Sequence, residues 1–225
     1  MFQKRANINK IKALVGNTPL VRVSEKIYAK FECYNPSGSI KDRMVSHIVK
    51  RELLYGRINN ETILCEATSG NTGISLSMIS ASIGNQCIIF MPKNMSEERR
   101  QLITSYGAKI IDTPPHDFKG AIAMRDAYLR ANNNAWSTLQ FSNEFNIDCH
   151  EKTTAPELHK QVIDTGKRWS AVVHGCGTGG TIEGIRRYIK KSNFNTRVCM
   201  VIPEEKEHGI QGIGDGQDFL APKGN

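Results

Sequence analysis

Segments with the pattern of β-strands alternate with segments with the pattern of α-helices along most of the chain, and this alternation limits the fold more than any other feature. The predicted strands are 20–23, 27–31, 62–65, 86–90, 109–112, 171–174 and 197–202. The predicted helices are 40–55, 72–83, 96–106, 118–131, 155–165 and 181–191. Such alternation is typical of βαβ units, in which helices cover parallel sheets. The sequence therefore predicts an α/β fold.

The composition argues against several classes of function. No segment of the 225 residues approaches the ~20 apolar residues of a membrane-spanning helix. The net charge is +8, but the basic residues are scattered in short pairs without interleaved aromatic residues, which argues against nucleic-acid binding. The N-terminus lacks the apolar stretch of a secretory signal. Six cysteines without CxxC spacing favour reduced thiols in the cytoplasm over a disulfide framework or a metal site.

Lys41 lies in the run Pro36–Arg43, where small and rigid residues predict a turn that leads into a helix. An ammonium group is disfavoured at a helix N-terminus, which already carries partial positive charge. A neutral amine is the form in which a lysine attacks a carbonyl and forms a Schiff base. An exposed lysine on an ordinary capped helix has the same local pattern, so Lys41 alone does not define a site.

A second run of small polar residues, Thr68–Gly73, lies between a predicted strand and an apolar helix. Backbone amides at a helix start, together with threonine and serine hydroxyls, suit a carboxylate or a phosphate. The side-chain amide of Asn71 can both donate and accept hydrogen bonds. The same residue types also cap plain strand-to-helix turns.

A third run, Gly175–Thr181, follows a predicted strand and opens another helix. Its four glycines let the backbone wrap closely around an anion, which the helix dipole favours, and Thr178 and Thr181 add hydroxyl donors. The glycines also satisfy the G-x-G-x-x-G pattern, so a dinucleotide site with Glu204 near a ribose is an alternative. That alternative leaves Lys41 and Thr68–Gly73 unexplained.

A lysine for a Schiff base, a carboxylate loop and a phosphate loop are together what pyridoxal phosphate chemistry on an amino acid requires. On this interpretation, Lys41 takes the aldehyde of the cofactor. The Gly175–Thr181 run takes its phosphate, and the Thr68–Gly73 run takes the carboxylate of the substrate.

The chain also resembles the cysteine synthases (O-acetylserine sulfhydrylases), which are fold-type II pyridoxal phosphate enzymes similar to the tryptophan synthase β-subunit. The matching runs are Gly16–Val21, Pro36–Arg43, Thr68–Gly73, Met91–Pro92, Met95–Arg100, Tyr106–Ala108, Gln140–Phe141, Thr153–Thr154, Pro156–Glu157, Gly177–Thr181 and Ile210–Gly214. They follow one another along nearly the whole chain, and the run around Met95–Arg100 favours the B-type enzymes. The resemblance implies two open, mostly parallel sheets flanked by helices, shortened at the C-terminus because the family continues beyond residue 225.

The resemblance implies two domains and a role for each candidate residue. We expect a larger domain, 1–35 plus 146–225, that binds the cofactor phosphate and is incomplete at its C-terminus, and a smaller domain, 36–145, that carries the substrate loop. Lys41 would hold pyridoxal phosphate as the internal aldimine and act as the base at the substrate Cα, and Asn71 would bind the ring hydroxyl. The predicted phosphate-binding residues are Gly177, Thr178, Gly179, Gly180 and Thr181. The predicted substrate-binding residues are Thr68, Ser69, Gly70, Asn71, Gln140, Gly212 and Asp215.

The reaction of the family is a β-replacement, which places the chain among transferases and lyases of amino-acid biosynthesis. Acetate leaves an O-acetylserine-like substrate, an α-aminoacrylate remains, and sulfide or another nucleophile adds to give cysteine or a related amino acid. The resemblance also implies a homodimer and binding of the C-terminal tail of serine acetyltransferase. A shortened, non-catalytic homologue that acts by binding a partner is the alternative.

The sequence departs from the family at two places. Asp215 stands where the family more often has a small residue, and a carboxylate there would act as a base on the incoming nucleophile or select a cationic one. A solvated loop aspartate before Gly216 is the alternative. The family's C-terminal part supplies a Ser or Thr that faces the pyridine nitrogen, and no residue of this sequence is assigned to that role.

Overall fold

The computed structural model describes residues 2–205, 210 and 212–214 of the chain. The helices are α1 Phe2–Leu14, α2 Lys41–Leu54, α3 Asn71–Ile83, α4 Glu97–Ser105, α5 Phe118–Ala131, α6 Glu144–Cys149, α7 Ala155–Asp164 and α8 Gly180–Lys191. The strands are β1 Leu20–Arg22, β2 Tyr28–Lys30, β3 Ile63–Ala67, β4 Cys87–Pro92, β5 Lys109–Thr113, β6 Ala135–Ser137, β7 Ala171–Gly175 and β8 Arg197–Val201. A 3₁₀ turn, Glu32–Tyr34, precedes α2, and a π-helical turn, His150–Thr154, joins α6 to α7.

The chain forms two compact units. Unit 1 comprises Met1–Val15 and Pro36–Leu139, and unit 2 comprises Gly16–Asn35 and Gln140–Asn225. Residues 1–15 therefore belong with 36–139, whereas the sequence prediction placed them with the C-terminal half. The division into a cofactor domain and a substrate domain stays a prediction.

Unit 1 is built on a four-stranded sheet in the order β5-β4-β3-β6, with all strands parallel. The central strands are apolar along nearly their whole length, as expected for strands covered on both faces. Helices α3 and α5 pack on β3 and β4, and α1 packs on α2 and α3. The amine of Lys4 in α1 donates to the carbonyl of Ile83 (2.5 Å) and to Oδ1 of Asn85 (2.7 Å), so a cation lies at the C-terminus of α3, where the helix dipole favours it.

Unit 2 contains an antiparallel hairpin, β1–β2, and a parallel pair, β7–β8. Helices α7 and α8 enclose a small core of Ala155, Ile185 and Ile189, around which Trp169 and Phe194 pack. The hairpin is tied to α7 because the amine of Lys30 lies 2.5 Å from Oε1 of Glu157. No helix among the described residues is both long and apolar enough to span a bilayer.

The predicted α/β fold class is confirmed, and every strand and helix predicted from the sequence is present, with ends that agree within about two residues. Three elements were not predicted, namely α1, β6 and α6. The three asparagines 132–134 suggest from sequence a loop between two compact halves. They do form a loop, but it lies inside unit 1, because Ala135–Ser137 forms β6 and pairs with β3 there.

Candidate active site

Lys41 is the first residue of α2 and is half-buried at the helix N-terminus. The turn before it is held by Asp42, whose fully buried carboxylate accepts hydrogen bonds from the backbone N–H of Ser37 (2.6 Å) and from its hydroxyl. Gly38 has a φ of +86°, which favours glycine, and the N–H of Lys41 donates to Oγ of Ser39 at 3.2 Å. A buried acid therefore fixes the backbone that presents Lys41.

The Thr68–Gly73 loop connects the end of β3 to the start of α3. Thr68 is buried; its N–H donates to the carbonyl of Phe90 (3.1 Å), and its hydroxyl oxygen accepts from the N–H of Gly70 (3.0 Å). A Cβ on Gly73 would lie 2.8 Å from Cγ2 of Thr68, so glycine is needed for α3 to approach this closely. The first N–H groups of α3 have no partner within the helix, and Asn71 is exposed beside them. The loop thus presents donors in a fixed backbone.

A fully buried carboxylate, Glu66, lies next to this loop as the penultimate residue of β3. It accepts hydrogen bonds from the N–H of Ala67 (2.9 Å), from Nη1 of Arg125 (2.8 Å), and from the hydroxyls of Ser137 (3.2 Å) and Thr138. Burial opposes the charge of Arg125, but the attraction of Glu66 raises the pKa of this guanidinium above its ordinary value. The network joins the ends of β3 and β6 to α5.

The Gly175–Thr181 loop connects the end of β7 to the start of α8 in unit 2. A Cβ on Gly177 would lie 2.5 Å from the carbonyl oxygen of Gly212, and one on Gly180 would lie 2.3 Å from Oδ1 of Asn146. Gly179 precedes the helix with a φ of +85°. These positions therefore require glycine for reasons of space or conformation.

The two threonine hydroxyls of this loop are buried and held by side chains that precede α7. Nδ2 of Asn146 donates to Oγ1 of Thr178 (3.0 Å) and also to the carbonyl of Gln140 (3.0 Å). Nε2 of His150 lies 3.2 Å from Oγ1 of Thr181. Both hydroxyls are therefore positioned before any ligand arrives.

An acid beside this loop is paired with arginines. Glu183, in the first turn of α8, is paired with Nε of Arg186 (2.7 Å) and Nε of Arg187 (2.8 Å). Burial raises the pKa of Glu183, but the hydrogen bonds from these two arginines hold it, on balance, below its ordinary value. The loop accordingly offers backbone N–H groups at a helix start and two hydroxyls, a donor set that suits a phosphate.

The structure places the predicted residues in two groups. Unit 1 holds Lys41, Thr68, Ser69, Gly70 and Asn71, and unit 2 holds Gln140, Gly177, Thr178, Gly179, Gly180, Thr181 and Gly212. Within unit 2, the carbonyl of Gly212 lies against Gly177, and the N–H of Gly214 donates to the carbonyl of Cys176 at 2.9 Å. Asp215 lies outside the described residues.

Sequence reasoning missed four residues that hold the two loops, namely Glu66, Arg125, Asn146 and His150. Glu66 has one local signal, an acid at the end of an otherwise apolar strand. Asn146 and His150 are four residues apart, a spacing that places two side chains on one face of a helix, but their segment had not been predicted to be helical.

The chain matches a family described as pyridoxal-phosphate dependent enzymes over residues 11–219. It is 39% identical over 218 residues to cysteine synthase B of Campylobacter jejuni, an alignment that covers 91% of this chain and 72% of the relative. A hydrogen sulfide-producing enzyme from Fusobacterium nucleatum superposes with a TM-score of 0.87 at 34% identity, over 96% of this chain and 70% of that one. An O-acetylserine-dependent cystathionine β-synthase from Helicobacter pylori superposes with a TM-score of 0.83 at 31% identity, over 91% and 72%.

The fold and the family match define the class of protein: the chain belongs to the pyridoxal-phosphate-dependent enzymes. The resemblance to the cysteine synthases is confirmed by the relatives, and so is pyridoxal phosphate as the cofactor. The donor set of the Gly175–Thr181 loop suits a phosphate such as that of this cofactor, and Lys41 as the amine for its aldehyde stays a prediction. The nicotinamide alternative is set aside, because the cofactor of the family is pyridoxal phosphate.

Proposed function

We propose that this enzyme catalyses a β-replacement on an O-activated serine such as O-acetylserine, in which sulfide or another nucleophile displaces the leaving group to give cysteine or a related amino acid. The proposal rests on one observation: two strand–loop–helix segments, at Thr68–Gly73 and Gly175–Thr181, occur together with Lys41 at the start of α2. One segment has the donors for a carboxylate and the other those for a phosphate. The similarity to a cysteine synthase B and to an O-acetylserine-dependent enzyme supports this choice of substrate.

Pyridoxal phosphate, when bound, supplies an aldehyde for the substrate amine and a ring that stabilises negative charge at the substrate Cα. In the proposed arrangement, Gly177–Thr181 binds the phosphate with backbone N–H groups and threonine hydroxyls. Asn71 donates a hydrogen bond to the ring hydroxyl. Lys41 holds the cofactor through its amine and then takes the proton from the substrate Cα.

In the proposed arrangement, the Thr68–Gly73 loop orients the substrate. Thr68, Ser69, Gly70 and Asn71, with Gln140 and Gly212, are proposed to bind the α-carboxylate and so to aim the Cα proton at Lys41. We propose that Asp215 acts as a base on the incoming nucleophile. Replacement of Asp215 by Asn is expected to change the ratio of products formed from sulfide and from a bulkier thiol.

Three further parts of the proposal concern the binding partners of the protein and its location in the cell. A homodimer, binding of a serine acetyltransferase tail and a cytoplasmic location follow from the resemblance and stay predictions. The relatives give no support to the alternative of a non-catalytic homologue, because the similar proteins are enzymes by name.

The absorption spectrum of the purified protein tests the proposal directly. With pyridoxal phosphate supplied, we expect a near-visible band that changes on addition of O-acetyl-L-serine and returns when sulfide is added, with formation of cysteine. Lys41→Ala should lose the covalently held cofactor and the turnover, because no other amine is placed in its position. Lys50→Ala, which removes a lysine from the same helix, is the matched control and should keep both. A protein that stays colourless with the cofactor supplied would contradict the proposal.

A further inference from the structure

Arg99, in the first turn of α4, lies directly against the candidate carboxylate loop. A Cβ added to Gly70 would lie 2.4 Å from Cδ and 2.7 Å from Nε of Arg99. The arginine side chain therefore fills the space beside Gly70, at the point where α3 begins. Nη1 of Arg99 is buried and has no hydrogen-bond partner among the residues that the structure describes.

The carboxylates near Arg99 are engaged elsewhere. Asp112 is paired with Arg100, with distances of 2.8 and 3.0 Å to its two carboxylate oxygens. Glu98, which is exposed, accepts hydrogen bonds from its own backbone N–H and from Ser96, and these, together with the nearby charge of Arg99, lower the pKa of Glu98. This attraction still leaves Nη1 of Arg99 without a hydrogen-bond partner among the described residues.

This arrangement is unfavourable unless an anion is present. A buried donor without a partner loses the hydrogen bonds it made to water. A cation at a helix N-terminus is repelled by the partial positive charge of the helix end. Both penalties would be removed by one negatively charged group bound between the guanidinium of Arg99 and the first N–H groups of α3.

We propose that Arg99 is a substrate-binding residue whose Nη1 donates a charge-assisted hydrogen bond to the α-carboxylate of the amino acid held by Thr68–Gly73. The inference rests on the proposed function of that loop and adds its specificity. With Arg99 in place, the loop selects a free carboxylate over an amide or an ester of the same shape, because a neutral group cannot compensate the charge of the guanidinium.

The test compares two ligands that differ only at the carboxyl group, L-serine and L-serinamide. Their dissociation constants are measured by calorimetry and by the change in cofactor absorbance, on protein loaded with pyridoxal phosphate. Arg99→Met should weaken binding of L-serine by about 10- to 100-fold and leave L-serinamide nearly unchanged, because a charge-assisted hydrogen bond is lost only with the carboxylate. Arg99→Lys, which keeps the charge but not the forked donor, should show a smaller loss of the same preference.

Arg100→Met is the matched control, since it removes the same charge from the next residue of the same helix. Binding of L-serine should stay within about twofold of the unchanged protein, because Arg100 faces Asp112 in a partly exposed pair. Equal weakening of both ligands in Arg99→Met would overturn the inference, since it would mean that the arginine only shapes the loop. L-serine binding that is unchanged in Arg99→Met would overturn it as well. If Arg99→Met does not fold, Arg99→Lys with an unchanged ligand preference decides against it.

These outcomes separate the inference from the function on which it rests. An unchanged protein that takes up pyridoxal phosphate but binds neither ligand contradicts the assignment of Thr68–Gly73, and the role of Arg99 with it. An unchanged protein that prefers L-serine, with the same preference in Arg99→Met, contradicts the role of Arg99 alone.

Discussion

The loops that open α3 and α8 share one local design and differ in what holds them. Each follows a parallel strand, contains glycines at points of close approach and ends at a helix N-terminus. The Thr68–Gly73 loop is held by charged groups, with the ion pair of Glu66 and Arg125 at its base and Arg99 beside it. The Gly175–Thr181 loop is held by the neutral amide of Asn146 and by the imidazole of His150.

The difference teaches that a strand–glycine–helix pattern sets the shape of an anion site, while the supporting side chains set its electrostatics. In the Gly175–Thr181 loop, the proposed phosphate loop, Thr178 and Thr181 are each only 8% exposed, and their hydroxyls are already hydrogen-bonded within the protein. This suits a group that stays bound. In the Thr68–Gly73 loop, the proposed carboxylate loop, Asn71 is exposed and the guanidinium of Arg99 lies beside Gly70. This suits a ligand that must enter and leave and that is recognised by its charge.

The largest expected effect comes from breaking the ion pair at the base of the carboxylate loop. Arg125→Met leaves the carboxylate of Glu66, which is 0% exposed, without a counter-charge. Loss of one partner of a buried pair lowers the free energy of unfolding by about 3–5 kcal/mol. Urea unfolding followed by circular dichroism measures this. The folded protein should keep its affinity for pyridoxal phosphate, because the phosphate loop does not use this pair.

An exposed ion pair supplies the control for that experiment. Lys160 and Asp164 are paired at 2.7 Å with side chains that are 77% and 58% exposed. Lys160→Met should change the free energy of unfolding by less than about 0.5 kcal/mol. In the double variant Glu66→Gln with Arg125→Met, part of the lost stability should return. Equal effects of Arg125→Met and Lys160→Met would show that the buried pair does not support its loop.

A smaller effect, confined to the other loop, is expected from Gly177→Ala. The new Cβ would lie 2.5 Å from the carbonyl oxygen of Gly212, which is backbone and cannot rotate away. The loop must shift, and overpacking of this kind costs about 1–3 kcal/mol, so we expect pyridoxal phosphate to bind about 10- to 100-fold more weakly. Titration of the cofactor absorbance gives the dissociation constant.

Gly166→Ala is the control for Gly177→Ala, because it introduces backbone strain without a steric clash. Gly166 has a φ of +74° and no heavy atom within 4 Å of a built Cβ, so alanine there is strained but does not collide. The variant should lose a little stability and keep the cofactor affinity of the unchanged protein. If Gly166→Ala weakens the cofactor as much as Gly177→Ala does, the close approach of Gly212 is not what shapes the phosphate loop.

The positions of both loops could be predicted from the sequence because they depend on local chemistry. Short apolar runs predict β3 and β7, and apolar periodicity predicts α3 and α8. The glycines between them mark the turns. Lys41 was likewise placed at a helix start by the turn residues before it. All of these signals lie within a few residues of the element they define.

The supports of the loops could not be predicted, because each depends on residues far apart in the chain. Arg125 meets Glu66 across 59 positions, and Lys4 meets Ile83 across 79. Helix α1 has little apolar periodicity of its own, and its place is set by packing on α2 and α3, which are distant in the sequence. The strand β6, Ala135–Ser137, contains no β-branched residue that would mark it in the sequence and is defined by its pairing with β3.

The smallest expected effect concerns Glu183, the paired acid beside the phosphate loop. Its pKa is lowered below the ordinary value of 4.5, so the folded state holds the carboxylate more strongly than the unfolded chain does. The stabilisation is therefore complete above about pH 4.5 and is lost as the pH falls through the lower folded pKa. Glu183→Gln should lower the free energy of unfolding by about 1 kcal/mol at about pH 7, a modest value because Arg186 and Arg187 are partly exposed.

Urea unfolding at a series of pH values checks the sign. The difference between Glu183→Gln and the unchanged protein should shrink as the pH falls below the ordinary value of 4.5 and through the lowered pKa of Glu183. Glu25→Gln, in an exposed turn, is the control and should show little difference throughout. A difference for Glu183→Gln that is constant with pH would mean that the side chain acts through packing. The charged support of the phosphate loop would then be negligible, and the contrast with the Glu66–Arg125 pair would be sharper.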